Sequence, residues 1–375
     1  MLSWVAWWGS TQLYVQGSFG FPTCGLAPMR RKGYRFRPQS SPLLASVASR
    51  LHHLTRALSL RGMETKAWLP IELVLNVITC SLPSPGTLLD SAHPITKLLL
   101  SFTLVCQETR RLAARYLRQH CVYLDSERRL GSFLRAIPHR PALREISSLT
   151  LAPFEYDIDD LPLCSWVREL FCFTCESLTK LVIDIPLRTC YPEDDHLAVR
   201  PVLREGFERL VNLVEFVSTQ DELYLDVVRR ENACVWEQWP KLKRLALYNV
   251  AADETFWRRV AHHPSLDVLI LSNPDCINEV DPKAAFLKHA TRSLSATVCY
   301  ASYRRMDVPD YASHSTWKAI DPKGRLMIMF KCITDDLWER DTFQACIRSA
   351  GEDGSLWHWQ GEEITHPEQF SVRVD

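Results

Sequence analysis

The sequence predicts an α/β protein: a short all-helical module, then an α/β solenoid closed by a C-terminal cap. Three observations predict it. Apolar residues recur at helical spacing between Leu69 and Tyr116, a helix–turn–strand pattern repeats from residue 121 to about 300, and residues 301–375 depart from that pattern. The 375 residues are 46% apolar and 23% charged, the balance of a core-forming chain too long for one ordinary domain.

Basic and acidic residues are equal, 44 each, so net charge points to neither nucleic acid nor an anionic membrane. Their distribution is uneven. Residues 1–63 hold eight basic side chains and no acidic one, leaving 36 basic against 44 acidic over 64–375. An arginine- and serine-rich, acid-free start has the composition of an organelle transit peptide. The competing expectation, which the residues favour, is an unstructured tail or gene-model extension with translation beginning at Met63, beside the first acidic residue, Glu64. Met1–Trp8 is apolar but lacks the basic region of a secretory signal. Thirteen cysteines, an odd number without framework spacing, read as reduced thiols. No asparagine opens a glycosylation acceptor, and no apolar run reaches the ~18 residues that span a bilayer. A cytoplasmic or nuclear protein is expected.

Over 64–120 the helical module opens with Leu69-Pro70-Ile71-Glu72-Leu73, where Pro70 suits a first helical turn and Glu72 complements the positive helix end. Ile71, Val74, Leu75, Ile78 and Leu82 fall on one face. A connector bearing Pro83, Pro85, Gly86 and Pro94 ends that helix. Leu98, Phe102, Val105, Leu112 and Tyr116 then continue a stripe through Lys97–Arg118, as one helix or as two with a bend near Cys106, with four arginines on the wet side. A module this small buries little alone and ordinarily needs a partner surface.

Leu69-Pro70-x-Glu72-Leu73, Ile78, Leu104-Val105-Cys106 and Arg110-Arg111-Leu112-Ala113 together resemble the F-box motif. The resemblance covers about one eighth of the chain. It implies docking on a Skp-type adaptor, and through it a cullin, by way of Leu69, Pro70, Leu73, Ile78, Leu104 and Val105.

From 121 to 300 a Leu-x-x-Leu-x-Leu strand pattern recurs: Ile146-Leu149-Leu151, Leu178-Leu181-Ile183, Leu213-Phe216-Ser218, Leu242-Leu245-Leu247 and Leu266-Leu269-Leu271. First positions are 32, 35, 29 and 24 residues apart. Helical faces precede the strands: Leu130, Phe133, Leu134 and Ile137; Phe207, Leu210 and Val211; Phe256, Trp257 and Val260; Ala285, Phe286 and His289. Stacked units of this kind close a core that one unit cannot, giving a parallel sheet that serves as a binding surface. The array resembles a degenerate leucine-rich repeat, with inserts at Arg188–Arg200 and Gln220–Trp239 mapping to loops on one face. In 301–375, Leu326–Ile333 reads as a strand and Asp335–Arg348 as a helix, with Trp338, Trp357 and Trp359 packing an end cap.

Chemistry is sparse. Cys172-x-x-Cys175 lacks a second such pair at zinc-finger spacing, and His262-His263 is a pair without further ligands. Asp159-Asp160, Asp194-Asp195 and Asp335-Asp336 read as solvated loops or helix caps. Nucleophile-elbow, phosphate-loop, zincin and dinucleotide motifs are missing. The expectation is no enzyme, no cofactor and no metal, but a substrate-recognition subunit of an SCF-type ubiquitin ligase whose repeats bind a protein substrate and act by proximity. The alternative is a leucine-rich repeat scaffold that meets no ligase.

Overall fold

The computed structural model describes residues 70–84, 86–226, 233–277, 280–300, 314–333 and 340–363. The chain divides into two units, residues 1–76 and 77–375. Of the first, residues 70–76 are described; they start helix α1 (Ile71–Cys80), whose first turn is closed by the Leu73 amide on the Pro70 carbonyl at 3.0 Å.

The second unit continues with α2 (Pro94–Phe102) and α3 (Gln107–His120). The expected bend near Cys106 is a full break: the turn 103–106 separates the helices, and the Cys106 amide donates to Thr109 Oγ1 at 3.1 Å. The expected apolar stripe needs correction. Ile95, Thr96 and Leu99, then Thr109, Ala113, Leu117 and His120, are the buried positions, while Val105 is exposed and Leu98, Phe102, Leu112 and Tyr116 are half-buried. A stripe drawn across one continuous helix loses phase where the turn intervenes. The polar residues on the true face also escape a hydrophobicity reading, because hydrogen bonds offset their desolvation. Thr96 Oγ1 donates to the Asp90 carbonyl at 2.8 Å, and His120 Nδ1 lies 2.9 Å from the Thr87 carbonyl.

Nine strands form one sheet in chain order: β1 (Tyr123–Leu124), β2 (Ser148–Leu151), β3 (Lys180–Ile183), β4 (Glu215–Ser218), β5 (Arg244–Tyr248), β6 (Val268–Ser272), β7 (Leu294–Tyr300), β8 (Leu326–Cys332) and β9 (Glu362–Glu363). All neighbours pair in parallel except β8 and β9. The five strands expected from the repeat pattern are β2–β6. Beyond them, β1 precedes the pattern, β7 lies within the expected array without showing its leucines, and β8, the strand expected at Leu326–Ile333, carries the parallel sheet past residue 300.

Register explains the leucines. Leu149, Leu181, Phe216, Leu245, Leu269, Ala296 and Ile328 align across seven strands, and every one is buried. Strand alternation sends this row to one face. There it meets α4 (Glu127–Ala136), α5 (Leu161–Thr174), α6 (Val199–Glu208), α7 (Glu254–His262) and α8 (Pro282–Leu287). Phe171, Phe207, Phe216 and Trp239 pack edge to face in sequence, with centroids 4.8, 6.4 and 5.0 Å apart. Val211 is exposed and His289 lies beyond α8, which corrects two expected helical core positions. Among the described residues between β4 and β5 a 3-10 turn, Val235–Gln238, stands where the other units have an α-helix. Asn249 and Asn273 leave β5 and β6 with φ of 55° and 51°, and each donates its amide to the following strand, at the Ser272 and Cys299 carbonyls. Asparagine tolerates this left-handed backbone better than other non-glycine residues.

The C-terminal segment departs most from expectation. After α9 (His314–Ile320) and β8, helix α10 (Arg340–Asp353) lies across the other face of the sheet. Phe343, Ile347, Ala350 and the following Leu356 share a buried cluster with Val182, Val217, Ala246, Ile270 and Cys299, one residue from each of β3 to β7. At the end of the sheet β9 pairs antiparallel along the β8 edge. The physical reason is that the row Val182, Val217, Ala246, Ile270 is itself apolar and must be covered, a demand that individual strand patterns do not announce.

Candidate interaction surfaces

Of the six residues nominated for adaptor docking, Leu69 lies outside the described residues. Pro70 and Leu73 are exposed on the first unit. On the second unit, Leu104 and Val105 occupy the turn between α2 and α3 and are each 64% exposed. Ile78 has no accessible surface, which corrects its nomination: it is a core residue. Arg110 on α3 holds this turn by donating from Nε to the Thr103 carbonyl at 3.0 Å. Two large apolar side chains therefore stand in water on a turn fixed by hydrogen bonds.

The sheet face under α10 is polar along one row. Lys180, Glu215 and Arg244 alternate in charge across β3, β4 and β5, with Arg244 Nη1 2.6 Å and Lys180 Nζ 3.9 Å from Glu215. Lys180 is buried and donates to the carbonyls of Gly86 at 2.6 Å and Glu352 at 3.2 Å. An ammonium at the C-terminal carbonyls of α10 is favoured by the helix dipole. Burial lowers the Lys180 pKa, opposed by Glu215, Asp353 and Glu352. The connector between α1 and α2 meets the same point: the Leu88 amide donates to the Glu352 carbonyl at 2.7 Å, and Thr87 Oγ1 donates to that of Asp353 at 3.3 Å. One lysine therefore joins connector, sheet and terminal helix. Alongside, Arg348 pairs with Asp184 at 2.5 Å and with Glu352 at 3.2 Å, and donates to the Tyr123 hydroxyl. Burial pushes the Tyr123 and Glu352 pKa values up.

A second polar centre organises the two expected inserts. Arg200 is fully buried at the start of α6 and donates to the carbonyls of Leu187, Cys190, Tyr224 and Asp226. Its guanidinium lies 4.5 Å from the Tyr224 ring centroid. Burial lowers the Arg200 pKa, opposed by the anionic groups around it. Asp221, also buried, accepts from the amides of Leu187 at 2.9 Å and Leu223 at 2.8 Å. Burial pushes its carboxyl up to about 7, with Glu222 adding to the rise. The two inserts are therefore one braced structure. Sequence spacing did not flag Arg200 or Asp221; a charged residue closing an acidic insert was the available signal.

Among the described residues no group of three or more His, Cys, Asp or Glu is placed to hold a metal ion, and no helix is long and apolar enough to cross a membrane. Cys175 Sγ turns back to the Cys172 carbonyl at 3.6 Å. Asp160 and Asp195 cap α5 and α6, accepting from the amides of Leu163 at 2.9 Å and Val199 at 2.8 Å. Asp335-Asp336 lie outside the described residues. No family model matches the chain, and no curated protein or solved structure matches it.

Proposed function

We propose that the chain is a non-catalytic recognition subunit of an SCF-type ubiquitin ligase, docking a Skp-type adaptor through an F-box-like turn and a protein substrate through its leucine-rich-repeat-like array. The observation that carries the reading is the sheet: parallel strands follow one another in chain order, with buried leucines, or other apolar residues, in register. A repeat array produces that order, whereas doubly wound folds reverse theirs at a switch point. Exposed Leu104 and Val105 on a hydrogen-bonded turn support the adaptor half. The mechanism would be proximity, raising the substrate's effective concentration at a ubiquitin-loaded enzyme.

The burial of Ile78 favours a second reading, a repeat scaffold without a ligase, because it removes one of the six nominated contacts. Capture of the Skp-type adaptor by the full chain, beside a Leu104→Ala/Val105→Ala variant, separates the two. The ligase reading expects capture by the parent and its loss in the variant, with melting unchanged because exposed substitutions shift stability within about 0.5 kcal/mol. A folded parent that captures no adaptor, or a variant that captures it undiminished, overturns the adaptor half.

A further inference from the structure

Over β3 to β7 both faces of the sheet are taken, one by helices and the other by α10. A partner of the second unit does not reach the sheet there. The segments leaving the C-terminal ends of β2, β3 and β4 (152–160, 184–198 and 219–226, the last being the described start of the β4–β5 connection) carry exposed residues, and since these strands are adjacent and parallel the segments share one end of the sheet. They are also close to one another. Asp159 of the first loop and Asp194 and Asp195 of the second all act on the Cys190 thiol, whose pKa burial raises first. The Tyr191 ring meets Tyr224 of the third loop at 6.4 Å.

Large apolar side chains stand out from this end: Tyr156 is 71%, Tyr191 50% and Leu197 45% exposed. Exposed aromatic and aliphatic groups on a braced surface mark interaction sites, and the carbonyl clasp of Arg200 means little ordering is left to do on binding. Around them Glu155, Asp157, Asp159, Glu193, Asp194 and Asp226 are exposed. Arg188 is spent on a bidentate pair with Glu222 at 2.6 and 2.9 Å. The β4–β5 connection also carries Arg229 and Arg230, yet the connections 152–160, 184–198 and 219–234 together hold twelve acidic residues against three basic ones.

We infer that this loop end binds a Lys- and Arg-rich protein segment that also carries aliphatic residues. The cations meet the tyrosine faces and the carboxylates, and the aliphatic side chains meet Leu197. The negative potential selects against phosphate backbones and anionic lipid. The inference rests on the recognition-subunit reading only in calling that segment part of a substrate.

The test uses the full chain and a fluorescein-labelled peptide of alternating arginine and leucine, followed by anisotropy at two salt concentrations. Two variants sit beside the parent, Glu155→Gln/Glu193→Gln/Asp194→Asn and Tyr156→Ser/Tyr191→Ser, with melting curves to establish that both fold. The expected result is binding by the parent that weakens with salt, and a loss of about tenfold or more in each variant. No binding by the parent, or equal binding by all three, overturns the inference. Loss in the charge variant alone also overturns it, since that is polycation attraction without a docking surface. Adaptor capture is read on the same samples. Capture without peptide binding sinks this inference alone, and peptide binding without capture sinks the ligase reading alone.

Discussion

Gly351 on α10 faces Val217 at the centre of the sheet, and a Cβ built there would stand 3.1 and 3.2 Å from the two Val217 methyl groups. Alanine in a helix interior is worth up to about 1 kcal/mol over glycine. Here the added methyl meets a fully buried β-branched side chain on a strand, stiff about χ1 in a close-packed interior. Overpacking of this kind costs ~1–3 kcal/mol, so Gly351→Ala should destabilise by about 1 kcal/mol net. Val217→Ala alone removes two buried methyl equivalents and should cost roughly 2 kcal/mol. The double variant lets the new methyl occupy the vacated space. Its cost should fall short of the sum of the single changes by more than about 1 kcal/mol, in the range found for residues in contact. Urea denaturation of the four proteins measures this. Additivity within about 0.5 kcal/mol would falsify the placement of α10 on this face, since an end cap makes no contact with the middle of β4.

Lys180→Met keeps the aliphatic stem and removes the donor shared by Gly86 and Glu352. A loss of about 2–3 kcal/mol is expected, with faster amide exchange at Leu88; unchanged exchange there would show that the junction does not depend on the lysine. The Asp221 carboxyl, raised from 3.8 to about 7 by burial, holds its proton in the folded chain after the unfolded chain has lost it. Its contribution therefore declines as pH rises through that window, by roughly 4 kcal/mol at ~1.36 kcal/mol per unit. Asp221→Asn should flatten the fall in stability between about pH 4 and 7, and a slope equal to the parent's would refute the assignment.

Local and repeated features were legible in the sequence. The five Leu-x-x-Leu-x-Leu segments became β2–β6, because strand alternation and neighbour stacking act on each unit in the same way. A helix start beside Pro70, an interruption near Cys106 and the carboxylates of Asp160 and Asp195 at helix starts were likewise readable, being settled within a few residues of chain.

Tertiary packing decided the rest. The buried face of α2 and α3 depended on hydrogen bonds that Thr96 and His120 make to a connector no periodicity links to them. Lys180, Arg200 and Asp221 are charged residues that hydropathy sends to solvent, yet each is buried because backbone carbonyls or amides from distant loops converge on it. The path of α10 is the largest case. Its apolar residues required only some surface to cover, and the surface was assembled from five strands that the chain brings side by side only once it is folded. The sequence alone therefore determined the order and character of the units, through short-range periodicity. Which face of the sheet is closed, and which loops are left to meet a partner, was decided in three dimensions, because burial is a property of what lies opposite a residue and not of its neighbours in the chain.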